Sequence, residues 1–373
     1  TREQVESELL DPEGPYLRLR LAMDAWCALW FWPIDLVGTD DAPPAPAPPS
    51  LDEWISTLEG LLGAAGVKQA AHGQAMFHET IDSFDQLSKL DELERDFYGM
   101  RALWQLVPDH PWLGLARSIA EDQGFFHWEL DLGHVFRSGG FDLQVGNPPW
   151  VRPIWRDDVT LAEFDPFFML QEQIPERTFN RRRDEILASA PRVGRYLNDL
   201  SAWAGTASNL GSPVEHPLLD GVQTDLYTNF METTWRHAAQ DGVIGMIHPE
   251  GHFSDAKAGL FRAETYKRLR RHWQFINELM LFEDVGHQKT YIYSSPRPPH
   301  FIQMCSLIAP ETANLSLAAD ADSEIPGIQY PWGGWDFRPH PSRVATVDES
   351  VLRQWALLFD APGTPADQAR LLR

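Results

Sequence analysis

The run Phe141-Asp142-Leu143-Gln144-Val145 flows directly into Gly146-Asn147-Pro148-Pro149-Trp150, and nothing else in the 373 residues constrains the fold as tightly. The first five residues read as a strand that stops at Gly146. Neither proline that follows has an N–H to donate, so the backbone there is fixed and leaves the sheet. Downstream, Thr224 to Gln240 reads as an amphipathic helix, with Leu226, Phe230, Met231 and Trp235 on or near one face. Asp241-Gly242 then introduces a second strand, Val243 to Ile247, halted by Pro249. Lys257 to Trp273 is expected as a further helix, and Tyr291–Tyr293 with Phe301–Ile308 as a strand pair. Such alternation predicts an open α/β sheet, in which ligands bind beyond the carboxyl ends of strands. Gly146 to Trp150 falls at that position.

The first part of the chain has another character. Tyr16 to Trp32 is apolar nearly all round, so it reads as a buried helix stopped by Pro33. Ala42 to Pro49 is a stiff Pro/Ala connector. Ser50-Leu51-Asp52-Glu53 has the pattern of a capping box, and Leu87 to Val107 continues with apolar residues at helical spacing. Three segments are therefore expected: a mainly helical one over 1–125, an α/β one over 126–310, and a connector over 311–373. No internal repeat is visible.

With 43% apolar residues, the chain can bury a real core. No run of about 18 apolar residues suggests a membrane span, and no basic-then-apolar leader suggests export, so a cytoplasmic location is expected. Cys27 and Cys305 form no metal or redox motif and are expected as buried thiols. The 15 tryptophans mostly fall at helical spacing and read as core rather than as a carbohydrate-binding surface. A formal charge of −23 counts against a nucleic-acid partner unless a local positive strip exists. Two candidate strips do: Arg177 with Arg181, Arg182 and Arg183, and Arg262 with Lys267, Arg268, Arg270 and Arg271. Each also fits a solvated helix face.

Chemically, the Asn147–Trp150 corner suits a planar amine. The Asn amide oxygen and a proline carbonyl can accept its two N–H groups while the ring lies against the indole. Accepting those hydrogens turns the nitrogen lone pair toward an electrophile. For so poor a nucleophile, alignment outweighs a strong base.

These residues, together with Phe126-His127-Trp128-Glu129-Leu130, Val135-Phe136 and Gly140-Phe141-Asp142, resemble the large N6-adenine DNA methyltransferases. That group includes combined restriction–modification enzymes and the methylases of phage-defence systems of the BREX and DISARM types. Asp225 to Phe230 and Gly242 to Pro249 resemble the family's next helix and strand. Phe253 and Arg262 stand where it has an aromatic and an arginine, and Leu281-Phe282 to Tyr293 resembles its second aromatic region. The resemblance spans roughly Phe126 to Ile308. It implies part of a Rossmann-like class I methyltransferase sheet that transfers methyl from S-adenosyl-L-methionine to adenine N6 in DNA. The adenine would be extruded onto Asn147, Pro148, Pro149 and Trp150, with Tyr291, or else Phe282, on its other side. It also implies other restriction or defence subunits as partners, and of the two basic strips Arg181, Arg182, Arg183, Lys267 and Arg268 are the candidates for contact with the DNA.

One departure stands out. The family holds its methyl donor in a G-x-G loop after a strand, and no G-x-G occurs in this sequence. Leu58 to Gly66 is the nearest approximation, but its flanks are helical. The donor half is therefore expected upstream of Thr1, with the helical first part as an insertion, and the isolated chain is expected to be inactive. Three alternatives remain: a glutamine-side-chain methyltransferase using a similar corner, a non-catalytic scaffold in a defence complex, and RNA in place of DNA. His248-Pro249-Glu250-Gly251-His252 has an i, i+4 histidine spacing, but Pro249 and Gly251 favour a strand-end loop over a metal site.

Overall fold

The computed structural model describes residues 11, 13–33, 45–63, 86, 89, 95, 97–275, 289–291, 302–307 and 311–371, without the side chains of 275, 289–291, 302–307, 311, 313 and 314. The chain divides into two compact units. One comprises residues 1–133 and 155–208, the other 134–154 and 209–373.

The first unit is helical. Helix α1 (Pro15–Ala28) begins with Pro at its first position, where a missing N–H is harmless, and passes into a single 3-10 turn at Leu29–Phe31. It meets α2 (Leu51–Leu62), α3 (Leu103–Asp109) and α4 (Pro111–Gln123) around Leu21, Ala25, Leu61, Leu106, Leu113 and Ala116. The Ser50 hydroxyl caps α2 by accepting from the Glu53 N–H at 3.3 Å, as the capping pattern predicts. The expectation that α1 is buried all round is corrected, because Leu19 and Trp26 face solvent. Small residues at 22, 25 and 28 form its packed stripe, and that side also takes in Arg18, which donates to the Leu61 carbonyl. Cys27 is only half-buried. Helices α5 (Asp157–Ala162), α6 (Glu176–Leu187) and α7 (Ala190–Leu210) follow, with Leu161, Phe168 and Ile186 as a small second core. Glycine is required at 205, since a Cβ there would meet the Trp30 carbonyl oxygen at 2.1 Å.

The second unit carries the sheets. Strand β1 (Phe141–Gly146) pairs in parallel with β2 (Ala238–Met246), with Leu143 opposite Val243 and Gly146 opposite Met246. Between them runs α8 (Leu226–His237). Gly140 enters β1 at φ +111, and a Cβ there would lie 2.6 Å from the His237 carbonyl oxygen. After β2 come a single turn, α9 (Gly251–Ser254), then α10 (Gly259–Arg268).

Two expectations fail in this region. The helix expected to Trp273 ends at Arg268, and residues 271–275 form β3 (Arg271–Phe275). Leu269 and Trp273 continue the helical spacing, but both are buried and Trp273 lies in the sheet. The strand expected at Tyr291–Tyr293 meets β4 (Lys289–Tyr291) only at Tyr291, and the one expected at Phe301–Ile308 appears as β5 (Ile302–Leu307), but the two do not pair, because β3 lies between them. It runs antiparallel to β4 and parallel to β5.

The stretch expected as a connector is built into the same unit. It holds α11 (Glu311–Ala318), β6 (Ala345–Val347) antiparallel to β5, and α12 (Glu349–Phe359). Val347, Leu352, Ala356 and Ala369 share a core with Met231, Ile244, Phe253, Phe261 and Tyr266. The Leu371 N–H donates to the Phe253 carbonyl at 3.0 Å, and the Tyr266 hydroxyl to that of Ala369 at 2.9 Å. A chain rich in Pro, Gly and Asp conceals this because its few apolar side chains are used singly. Among the described residues, no helix is long and apolar enough to cross a membrane.

Candidate functional site

The corner forms where β1 ends. The Ile247 N–H donates to the Gly146 carbonyl at 3.0 Å, so pairing with β2 persists one step beyond the strand and then stops. Asn147 is exposed, Pro148 buried, Pro149 exposed and Trp150 half-buried. No described residue hydrogen-bonds the Asn147 amide, which leaves it open to a ligand from solvent. The Trp150 indole N–H points back to the Ile247 carbonyl at 3.4 Å, a long bond that ties the ring to the end of β2.

The chain leaving the corner is also fixed. The Val151 carbonyl accepts from the Leu226 N–H at 3.1 Å, at the first turn of α8. Arg152 donates to Asp225 and to Gln223, each at 3.1 Å. The corner is thus held at both ends, by β2 before it and by the start of α8 after it.

Beneath these anchors lies a buried aromatic cluster. Tyr227 and His248 stack with ring centroids 5.5 Å apart and planes 6° from parallel. The Tyr227 hydroxyl accepts from the His252 N–H at 3.0 Å and lies 3.4 Å from His252 Nδ1. His248 donates from Nδ1 to the Pro249 carbonyl at 2.6 Å. His248, His252 and His272 are all buried, and burial lowers each below the ordinary histidine range, His248 and His272 to about 3. Burial also raises the Tyr227 hydroxyl. His248 and His252 attract notice in the sequence for metal-ligand spacing. Among the described residues, no group of three His, Cys, Asp or Glu side chains is placed to hold a metal. Their connection to Tyr227 was not legible, because stacking across a strand end leaves no periodic trace.

The basic candidates behave otherwise. Arg181 pairs with Glu185, Arg182 with Asp165 and Arg183 with Asp157 and Asp184. Lys267 and Arg268 share Glu264, and the Arg268 guanidinium also lies over Trp235. Arg262 leaves the strip altogether. It is buried and donates to the carbonyls of His252, Asp255 and Gln368, fastening the C-terminal stretch to α9 and α10. Phe253 is buried core. Tyr291 is the last residue of β4, opposite Trp273, and its side chain lies outside the described residues, as do Phe282 and Tyr293 entirely.

The residues nearest to a donor loop do not fit that role. Leu58 to Leu62 belong to α2, no strand precedes them among the described residues, and a Cβ on Gly60 would approach Leu106 to 2.9 Å. Gly60 serves close helix packing, and Gly63, at φ +92, ends the helix. Residues 64–66 lie outside the described residues.

No protein-family model matches the sequence, and none of the curated proteins does. Among solved structures, the chain is similar to a type I restriction–modification system analysed for its assembly and conformational transition. There the TM-score is 0.24 at 15% identity, over 47% of this chain and 25% of that one. A second similarity is to the ATP-dependent type ISP restriction–modification enzyme LlaBIII bound to DNA, with TM-score 0.23 and 11% identity, over 52% and 11% of the two chains. A third is to a modification subunit of a putative type I restriction enzyme from Vibrio vulnificus YJ016, with TM-score 0.24 and 11% identity, over 63% and 54%. Overlaps this slight leave the functional reading resting on the corner itself.

Proposed function

We propose that the Asn147–Trp150 corner receives the exocyclic amine of an adenine in DNA and presents it for methylation at N6. In this reading the chain is part of a Rossmann-like methyltransferase serving restriction–modification or phage defence, with other subunits of such a system as partners. The observation that carries it is the exposed, unengaged Asn147 amide at the carboxyl end of a parallel strand, beside an indole tied to the neighbouring strand. Asn147 Oδ1 and the Pro148 carbonyl accept the two amine hydrogens, and the Trp150 ring supports the base. Tyr291 is the candidate for the opposite side. The methyl donor, S-adenosyl-L-methionine, is held by polypeptide other than residues 58–63. The basic residues of α6 are paired with carboxylates, and so, separately, are those of α10, so each offers only weak phosphate contacts and DNA affinity comes mainly from elsewhere.

Asn147 then matters for transfer far more than for DNA affinity. Losing an acceptor aimed at developing charge costs on the order of 3–4 kcal/mol. Asn147→Ala in the complete gene product should slow single-turnover transfer of labelled methyl to adenine-containing duplex by about a hundredfold or more, with DNA binding nearly unchanged. Asn147→Asp keeps an acceptor and should retain part of the rate. Transfer at the parent rate by the Ala variant would reduce the corner to a strand-ending turn.

A further inference from the structure

Two of the hydrogen bonds that shape the corner are made by the residues next to one stacked pair. Leu226 donates to the Val151 carbonyl and precedes Tyr227, while Ile247 accepts from the Trp150 indole and precedes His248. The stack of Tyr227 on His248 therefore fixes the spacing between the start of α8 and the end of β2, and with it the two anchors on either side of Trp150.

The third member determines the protonation state this arrangement tolerates. The Tyr227 oxygen already accepts from the His252 N–H, so its own hydrogen is available to His252 Nδ1. That bond requires Nδ1 to be an acceptor, which is the uncharged ring with its proton on Nε2. His252 Nε2 and His272 Nε2 are both buried and find no hydrogen-bond partner among the described residues. Among the described residues, the neighbouring carboxylates are turned to other partners. Arg262 on α10 donates to the His252 carbonyl, and His272 approaches from β3. The Glu250 carboxylate is engaged by Gln274 of β3, while Asp255 meets Arg262 through its carbonyl and Asp225, before α8, pairs with Arg152. Phe253 and Phe261 complete the enclosure. A proton on any of these rings places a charge among apolar rings beside a buried guanidinium.

We propose that Tyr227, His248 and His252 are positioning residues for the Asn147–Trp150 corner, competent only while both imidazoles are uncharged, so that the corner opens in mild acid. Its consequence for a bound base rests on the function proposed above; the opening itself does not.

Hydrogen–deuterium exchange on the chain reads the opening directly, through the amides of Leu226 and Ile247. Opening that exposes one such histidine to water should become about tenfold more frequent between pH 7.5 and 5.5, after correction for intrinsic exchange, because a solvated imidazole titrates near 6.5. Two exposed rings would give about a hundredfold. Amides of Leu113 to Ile119, in the first unit, should keep their protection, so a rise shared by the whole molecule would overturn the proposal. His248→Phe preserves a ring against Tyr227 and should keep protection at pH 7.5 while losing about tenfold of the acid response. Tyr227→Phe should loosen the corner at both pH values. An unchanged acid response in His248→Phe, or none in the parent, defeats the assignment. Duplex carrying 2-aminopurine opposite an abasic site gives a second reading. Absence of base binding at pH 7.5 with the exchange behaviour intact would count against the methyltransferase reading and leave this one standing.

Discussion

The two sides of the β1–β2 pair differ sharply. On one side Ile244 and Met246 are buried against α8 and the core built from Met231, Phe253 and Phe261. On the other, Leu143 is 63% exposed, Val145 78% and Val243 42%. Gln144, one of the two polar residues of β1, points to the packed side and its apolar neighbours Leu143 and Val145 point away from it, the reverse of the usual pattern. Parallel strands are ordinarily covered on both sides and read as continuous apolar runs. Leu143 and Val145 follow that rule in sequence, and in the described chain only one side is filled.

Gln144 is explained by what it meets. Thr234 belongs to the last turn of α8, whose carbonyls have no partner within the helix. The Gln144 amide donates to that carbonyl at 2.9 Å, so a polar side chain on the packed side ends the helix that covers it. Burial and backbone satisfaction are achieved on the same surface.

The sharpest contrast between the sides should come from truncation. Ile244→Ala removes a side chain only 4% exposed and should cost about 2–4 kcal/mol in urea unfolding, transfer and cavity costs together. A loss below about 1 kcal/mol would mean that the packed side is loose and the two sides are alike.

How much of this was written in the sequence depends on range. β1, its abrupt end and the capping of α2 were legible because each is decided within a few residues by proline, glycine or serine chemistry. So was the position of Asn147 just beyond a strand end. The passage from α10 to β3 was not, because Leu269 and Trp273 extend a helical period that Arg271-His272-Trp273 abandons in order to pair with β4 and β5. The placement of β3 between the other two strands is a matter of long-range pairing, which local pattern does not encode. The C-terminal stretch was misjudged for a related reason: Tyr266 and Arg262 bind its backbone carbonyls, which carry no sequence identity. At the site, Asn147 and Trp150 were visible, whereas the Arg152 latch to Gln223 and Asp225 joins residues about seventy positions apart.

A smaller effect tests the polar exchange. Gln144→Ala should leave the Thr234 carbonyl without its donor and cost about 1 kcal/mol, the net worth of one such bond. Gln144→Glu should be worse, because a carboxylate cannot donate and meets the negative end of the α8 dipole. If the two variants unfold at the same denaturant concentration as the parent, Gln144 is merely adjacent to α8 and the reversed pattern of β1 has lost its explanation.

The smallest effect belongs to the bare side and is the most informative about it. Val145→Thr keeps a β-branched side chain of nearly the same shape and exchanges a methyl for a hydroxyl. On a packed surface that hydroxyl would be buried without a partner, at about 1–3 kcal/mol. At 78% exposure it meets water, so unfolding should shift by no more than about 0.5 kcal/mol. Leu143→Thr should behave likewise, and the two together should reduce association of the chain at high concentration by removing adjacent exposed apolar side chains. Light scattering and urea unfolding on the same samples measure both quantities. A cost near that of Ile244→Ala would show that this side is covered in solution, and the comparison of the two sides would then collapse.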